Sequence, residues 1–353
     1  MPDRRFRENK TPMNAGLTRR SFLQTTGLSL VACACQVHAG PTADSANRVP
    51  RKGVVPAALT PFDAELRIAR SEFRRHIESL SAVPGVTAIM VNGAAGQDAA
   101  LSRDERRTLV AEAVAAVGNR TPIIAALREA PTMTLGDLAK DAATEGAHAV
   151  LVMPPPDKND TEWEGARVRF TRVFDATDLP VAIYQTAYST ETLTKLAQFP
   201  PVFAIKEGSG DPVAFERNMR SVQAMRRDVA LWSTNSRWLL ADLAVGADGI
   251  LSGMGSIAAD LHVALAEAVW RSDLVAARRI NDRVFPLTQV FYRPGVDPHT
   301  RMKYALKRIG RWEHDAVRPP LKPLDDEERA SIDRALRESG LVTAAKPEPC
   351  PLC

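Results

Sequence analysis

Cysteine is scarce in this chain of 353 residues: there are four, two near each end. Cys33 and Cys35 lie in the N-terminal leader, and Cys350 and Cys353 close the chain as Cys-Pro-Leu-Cys. A single C-x-x-C is half a zinc site at most, and four cysteines at the extremes are no disulfide framework. The tail pair reads as a frayed end or, in an oxidising compartment, as a local disulfide. The six histidines are scattered without paired-ligand spacing, so no metal site is expected. Excess charge is also missing from the body of the chain. The leader, residues 1–39, holds six of the 46 basic residues and two of the 42 acids, so the remainder balances at forty of each. That balance gives no footprint for a nucleic-acid partner.

The leader itself is informative. Thr18-Arg19-Arg20-Ser21-Phe22-Leu23 is a twin-arginine pattern, followed by a weakly apolar stretch and by Val37-His38-Ala39, a small-x-small cleavage site. The stretch is too short and too polar to span a membrane. Partnership with the twin-arginine export machinery and a periplasmic mature protein are expected. Leu30-Val31-Ala32-Cys33 also resembles a lipobox, which would anchor the protein by a lipid on Cys33. Residues 40–52 read as a linker.

From Gly53 onward short apolar runs alternate with helical patterns. The runs are Val54–Leu59, Ala88–Val91, Ile123–Ala126, Ala149–Met153, Val181–Tyr184, Val202–Ile205, Ala230–Trp232 and Gly249–Leu251. Helical patterns at Ser102–Val117, Thr132–Glu145 and Asp211–Arg227 separate some of them, with Ser102 and Glu105 spaced as a capping box. Eight such units imply an α/β fold, a closed (β/α)8 TIM barrel over 53–252. A doubly wound sheet would want a glycine-rich phosphate turn after its first strand, and Thr60-Pro61-Phe62-Asp63 is none. The last barrel helix and extra C-terminal helices, about Leu274–Phe291, Pro298–Ile309 and Glu327–Glu338, fill 253–340, with 341–353 read as a flexible tail.

In such a barrel, functional groups come from the carboxyl ends of strands. The sixth run ends in Lys206 and the fifth in Tyr184, and Gly93-Ala94-Ala95-Gly96 follows the second. A lysine at a buried strand end is desolvated, which favours the neutral amine, a nucleophile toward carbonyls. Tyr184 is then a proton carrier, and the N–H groups of Gly93, Ala94, Ala95 and Gly96 form a substrate-binding turn for a carboxylate. Singly, each has a plainer reading: a snorkelling lysine, a core tyrosine, a turn. Glu207 is either a local acid or base or a charge partner of the lysine. His299 is either a mouth residue or a helix-start residue. Trp232 and Trp238 either line an apolar pocket or pack as core.

At these residues the chain resembles the dihydrodipicolinate synthase and N-acetylneuraminate lyase superfamily, over roughly Gly53 to Leu324. The supporting stretches are Gly53-Val-Val-Pro-Ala-Ala-Leu-Thr-Pro-Phe62, Gly93-Ala-Ala-Gly-Gln97, Tyr184, Ile205-Lys206, Gly246-Ala-Asp-Gly-Ile250 and Arg318-Pro-Pro-Leu321. The resemblance implies a covalent imine between a pyruvate-type 2-oxo acid and Lys206, a hydroxyl relay at Tyr184, no cofactor, and often a homotetramer. The departures are specific. Ala94 and Ala95 replace the family's hydroxyl residues, and Gln97 replaces its acid. Pro156 and Asp157 stand where the synthase has a tyrosine pair. Ser189 stands where the synthase has a carboxylate-gripping arginine, and Gly208 where the lyase has threonine. The sequence therefore predicts an exported Schiff-base aldolase-type lyase of unassigned acceptor. A 2-oxo sugar acid dehydratase or hydratase, and a non-catalytic oxo-acid binder, are the alternatives. The first expectation to test is export: the Arg19→Lys, Arg20→Lys double variant should stay cytoplasmic with its leader uncut, read by fractionation and mass spectrometry of the N-terminus, and normal export would remove the twin-arginine reading.

Overall fold

The structure, a computed structural model, describes residues 49–342; the leader, Cys33 and the Cys350–Cys353 tail lie outside the described residues. Eight parallel strands form one sheet: β1 (Gly53–Pro56), β2 (Ile89–Val91), β3 (Ile123–Leu127), β4 (Ala149–Val152), β5 (Val181–Gln185), β6 (Val202–Glu207), β7 (Ala230–Ser233) and β8 (Gly249–Ser252). β1 pairs with β8, and each later strand with its neighbour in sequence down to β2. The seam between β1 and β2 is thin. It consists of the parallel bridges Val54–Val86 and Ala57–Met90, with Thr87 N donating to the Val54 carbonyl at 3.0 Å and Ala58 N to that of Met90 at 2.8 Å. The seam is thin because β2 has three residues and Pro56 offers no N–H.

Nearly every strand residue is buried, as expected of a parallel sheet covered by helices on its outer face. The helices are α1 (Arg70–Ser81), α2 (Arg103–Val117), α3 (Leu135–Thr144), α4 (Trp163–Phe174), α5 (Thr190–Ala197), α6 (Pro212–Met225), α7 (Leu239–Val245) and α8 (Gly255–Trp270). Ser102 and Glu105 close the expected capping box on α2, at 3.2 and 2.9 Å. The C-terminal helices α9 (Leu274–Phe291), α10 (Pro298–Arg308) and α11 (Asp326–Glu338) pack beside the barrel.

Two runs differ from expectation in ways that bear on the site. The first strand stops at Pro56 rather than Leu59, although Ala57 to Leu59 stay buried. The sixth continues past Ile205 through Lys206 to Glu207, because both still pair in register, with Tyr184 and Gln185 on one side and Trp232 and Ser233 on the other. The polar character of these two residues hid the last strand positions. Val49 to Lys52 also carry contacts that a free linker lacks: Val49 is buried, Arg51 pairs with Asp248 at 3.0 Å, and its carbonyl accepts the Trp232 indole N–H at 2.7 Å.

α10 is fixed by two fully buried basic residues. Arg301 donates to both oxygens of Glu328 on α11, at 2.7 and 2.9 Å, and to the Phe291 carbonyl at 3.3 Å. Lys303 lies over the Phe62 ring and donates to Gln97 Oε1 at 2.8 Å and to the Ala316 carbonyl at 3.1 Å. α10 is thereby tied to the loop after β2, on the carboxyl side of the barrel.

Two histidines are buried neutral. Burial pushes His262 down to about 4, and burial together with Arg311 pushes His76 down to about 3. Neither ring nitrogen of His262 finds a partner among the described residues. The unfolded chain takes up protons near 6.5, the fold only below about 4, so stability is full above 6.5 and falls as pH drops between the two. The decline should be about 1.4 kcal/mol per pH unit per histidine. His262→Leu should cost little at pH 7.5 and flatten the decline toward pH 4.5 by roughly half, read from urea midpoints; an unchanged slope would contradict this assignment.

Candidate active site

Side chains alternate along β6, so Lys206 and Glu207 point to opposite faces. Glu207 turns outward. It is fully buried, accepts from Asn218 on α6 at 3.1 Å and from Ser209 Oγ at 3.1 Å, and is reached by Asn235 at 3.3 Å. Asn235 also donates to Asp242 on α7 at 2.9 Å, and Ser233 does so at 2.6 Å. Burial raises both carboxyls, that of Asp242 to about 6. This network bolts the ends of β6 and β7 to α6 and α7. Glu207 therefore belongs to the scaffold, and neither of its other readings, acid–base group or partner of the lysine, fits its contacts.

Lys206 turns the other way and is 6% exposed. Its Nζ lies 4.1 Å from the centre of the Tyr184 ring, over its face, a contact that favours a cation only modestly. Burial lowers its pKa to about 7; Asp98 opposes that shift and Arg128 adds to it. A substantial fraction of the amine is then neutral at neutral pH. Burial raises the Tyr184 phenol to about 12, with Tyr292 and Glu207 acting the same way and Arg128 against it. Tyr184 is thus a protonated donor across the physiological range.

Gly208 explains how close the two can come. A Cβ there would sit 3.0 Å from Tyr184 Cε2 and 2.8 Å from Thr234 Cγ2. The threonine of the lyase would displace the phenol ring.

The turn after β2 is a 3-10 helix, Ala94–Gly96. Its amides divide into two groups. Those of Gly96 and Gln97 are spent inside the turn, on the carbonyls of Gly93 at 2.8 Å and Ala94 at 3.0 Å. Those of Ala94 and Ala95 have no partner among the described residues. Of the four residues expected to form a substrate-binding turn, Ala94 and Ala95 therefore carry the free donors, while Gly93 and Gly96 shape the turn. A Cβ at Gly93 would meet Met90 Cε at 2.5 Å, and one at Gly96 would meet Thr60 Oγ1 at 2.9 Å.

Sequence reasoning missed three groups at this end of the barrel. Arg128 follows β3 and pairs with the buried Asp98, its side chain 33% exposed. Tyr292, at the end of α9, accepts from Ser236 at 2.8 Å, and Ser236 and Ser252 are 2.9 Å apart. Arg169 on α4 spans Glu129, the Tyr188 hydroxyl at 2.9 Å and the Met153 carbonyl at 3.3 Å, bracing the ends of β3, β4 and β5. Arg128 ends the apolar run Ile123–Leu127, as Lys206 ends its own, so its position could have been marked in the sequence, though not its partner; Tyr292 follows the mixed segment 285–291 and had no such signal.

The family model described as "Dihydrodipicolinate synthetase family" matches residues 50–339. The chain belongs to this family. The 4-hydroxy-tetrahydrodipicolinate synthase of Rhizobium meliloti is 29% identical over 299 residues, covering 82% of this chain and 99% of that protein. The synthase of the same name from Kineococcus radiotolerans is 31% identical over 318 residues, covering 86% and 98%. The crystal structure of dihydrodipicolinate synthase from Thermotoga maritima superposes with a TM-score of 0.77 at 26% identity, covering 82% of this chain and 99% of that one. The family is one of Schiff-base, pyruvate-dependent aldolase-type lyases that use no metal cofactor, and this member is a lyase.

The departures from the family pattern fall on residues with other employment. Ser189 caps α5 through Thr192 N at 3.1 Å, so its hydroxyl does not stand in for the missing arginine. Asp157 is exposed and caps the turn at Asn159 N, at 2.9 Å. Gln97 serves Lys303. Trp232 is core, and Trp238 is 47% exposed.

Proposed function

We propose that the protein forms an imine between Lys206 and the C2 carbonyl of a 2-oxo acid, and makes or cleaves the carbon–carbon bond at C3. The observation that carries this reading is the buried amine held near neutrality over the Tyr184 ring, in a chain of this family. The neutral amine attacks C2, and the carbonyl oxygen leaves as water after receiving its protons. Tyr184 is the acid that hands a proton to that oxygen and recovers it later. The free amides of Ala94 and Ala95 are the donors for the substrate carboxylate. With methyl groups at 94 and 95 the relay through the turn's hydroxyls is gone, so Tyr184 exchanges its proton with substrate, water or another side chain. The hydroxyl cluster of Tyr292, Ser236 and Ser252 favours, as a second reading, a hydroxylated 2-oxo sugar acid that is dehydrated or hydrated through the same imine. We also infer a symmetric homo-oligomer, following the family habit; a clean monomer by light scattering at micromolar concentration would count against it.

Pyruvate or a related 2-oxo acid with borohydride should leave one reduced adduct per chain, at Lys206. Lys206→Ala should abolish it. Tyr184→Phe should retain binding and slow turnover by roughly 10²–10⁴-fold. A folded protein that yields no adduct with any 2-oxo acid would refute the imine, and an adduct with no turnover of any aldol or sugar-acid substrate would leave a binder.

A further inference from the structure

The turn that lost its hydroxyls faces an imidazole from another part of the chain. Gly253 follows β8, and a Cβ placed on it would lie 3.4 Å from the Ala95 methyl and 3.5 Å from His299 Nε2. Ala95 and His299 thus bracket the same small space, kept open by the missing side chain of Gly253. Ala95 carries one of the two free amides. His299 is the second residue of α10, and its position is set from three directions. Asp297 caps the helix, accepting from His299 N at 2.8 Å and Thr300 N at 3.1 Å. The same carboxylate oxygen lies 3.4 Å from His299 Nδ1. Arg301 and Lys303 lock α10 to α11 and to Gln97, as described above. The imidazole is 18% exposed, and Nε2 has no partner among the described residues. A histidine oriented at Nδ1 by a carboxylate, with Nε2 free toward a substrate-binding turn, has the arrangement of an acid–base group.

We propose that His299, positioned by Asp297, is the catalytic acid–base residue that takes the proton from C3 of the bound 2-oxo acid and returns it. The proposal rests on the imine reading. In the step, the C3–H bond breaks and its electron pair becomes the C2=C3 double bond of an enamine. The C=N pair moves onto the Lys206 nitrogen, neutralising the iminium. The proton goes to Nε2, and Asp297 stabilises the imidazolium. In reverse, Nε2 delivers the proton to C3, so no other reactant is consumed. An imidazole brought by the C-terminal helices then supplies a proton carrier beside a turn that has no hydroxyl side chains at Ala94 and Ala95. The charged groups around the imidazole are few. Asp297 is its own neighbour in the loop, and Lys303 on α10 feels Asp297. The elements that pack against its free edge present Gly253 and Ala95, which carry no charge.

The test needs no knowledge of the acceptor. The full-length protein in deuterium oxide with pyruvate should wash deuterium into the methyl group, read as loss of its proton resonance, while a parallel borohydride reaction reports the Lys206 adduct. His299→Gln should still give the adduct, which also shows that the site is folded, but exchange should be slower by about 10²-fold. Because the adduct is retained while exchange falls in that variant, loss of the proton carrier is separated from loss of the imine. Asp297→Asn keeps the helix cap, since asparagine caps as well as aspartate. It should likewise keep the adduct and slow exchange, but by less than His299→Gln, because the imidazole remains while the carboxylate beside Nδ1 is lost. No adduct in the wild type overturns the imine and this proposal together. An adduct with exchange absent in the wild type, or unchanged in His299→Gln, overturns this proposal alone.

Discussion

Taking an ammonium out of water is costly, and the mouth of this barrel is built around that cost. Lys206 is buried against an aromatic face rather than a carboxylate, so nothing close by repays the desolvation of its charged form. The acid that influences it, Asp98, is itself paired with Arg128, which pulls the other way. A carboxylate in direct contact would have held the amine protonated. Glu207 is adjacent in sequence and would serve, but strand alternation sends it to the helix layer, where amide and hydroxyl donors satisfy it. One residue of pleat separates a nucleophile from an inert ion pair.

Holding that arrangement requires that strand ends do not move, and several stretches of the rim carry polar fastenings. Asp98 and Arg128 join the loops after β2 and β3. Arg169 joins β3, β4 and β5. Glu207, Asn235 and Asp242 join β6 and β7. Ser236, Ser252 and Tyr292 join β7, β8 and α9. Buried polar networks of this kind stabilise only when nearly all their members are satisfied, which makes the rim specific rather than adaptable. They also explain why the C-terminal helices matter to the site: two of the fastenings, through Tyr292 and through Lys303 with Gln97, begin on residues beyond the barrel.

The barrel was legible in the sequence because its strands are continuous apolar runs of the right length, repeated eight times between helical patterns. Lys206, Tyr184 and the Gly93–Gly96 turn were legible because each interrupts such a run at its carboxyl end. Boundaries failed where chemistry replaced apolarity: the sixth strand runs on through Lys206 and Glu207 because backbone pairing does not depend on what the side chains carry. Arg128 and Tyr292 were missed for another reason. Their meaning comes from partners thirty to fifty-six positions away, Asp98 for one and Ser236 for the other, and no local pattern records such distances. His299 had two readings in sequence and meets both, as the second residue of α10 and as a neighbour of Gly253 in the loop after β8, and only the packing of α10 shows the second.

A second lysine sharpens what makes Lys206 distinctive. Lys303 is also buried, and burial, with Arg318 adding to it, depresses its protonation well below that of a free lysine. Its partner is Gln97, where the family pattern has an acid. A neutral amide beside a lysine with depressed protonation avoids the burial of two charges, and it keeps a hydrogen bond that a hydrocarbon would lose. Depressed basicity is therefore not rare on this side of the barrel. Lys303 is covered by the Phe62 ring and the Ala316 carbonyl and joins two elements. Lys206 keeps a sliver of exposure, stands against a phenol that can donate a proton, and forms no hydrogen bond with a neighbouring side chain among the described residues. The two amines share the same electrostatic cause and differ in access and in company, and those two differences, rather than pKa, mark Lys206 as the amine available to a carbonyl.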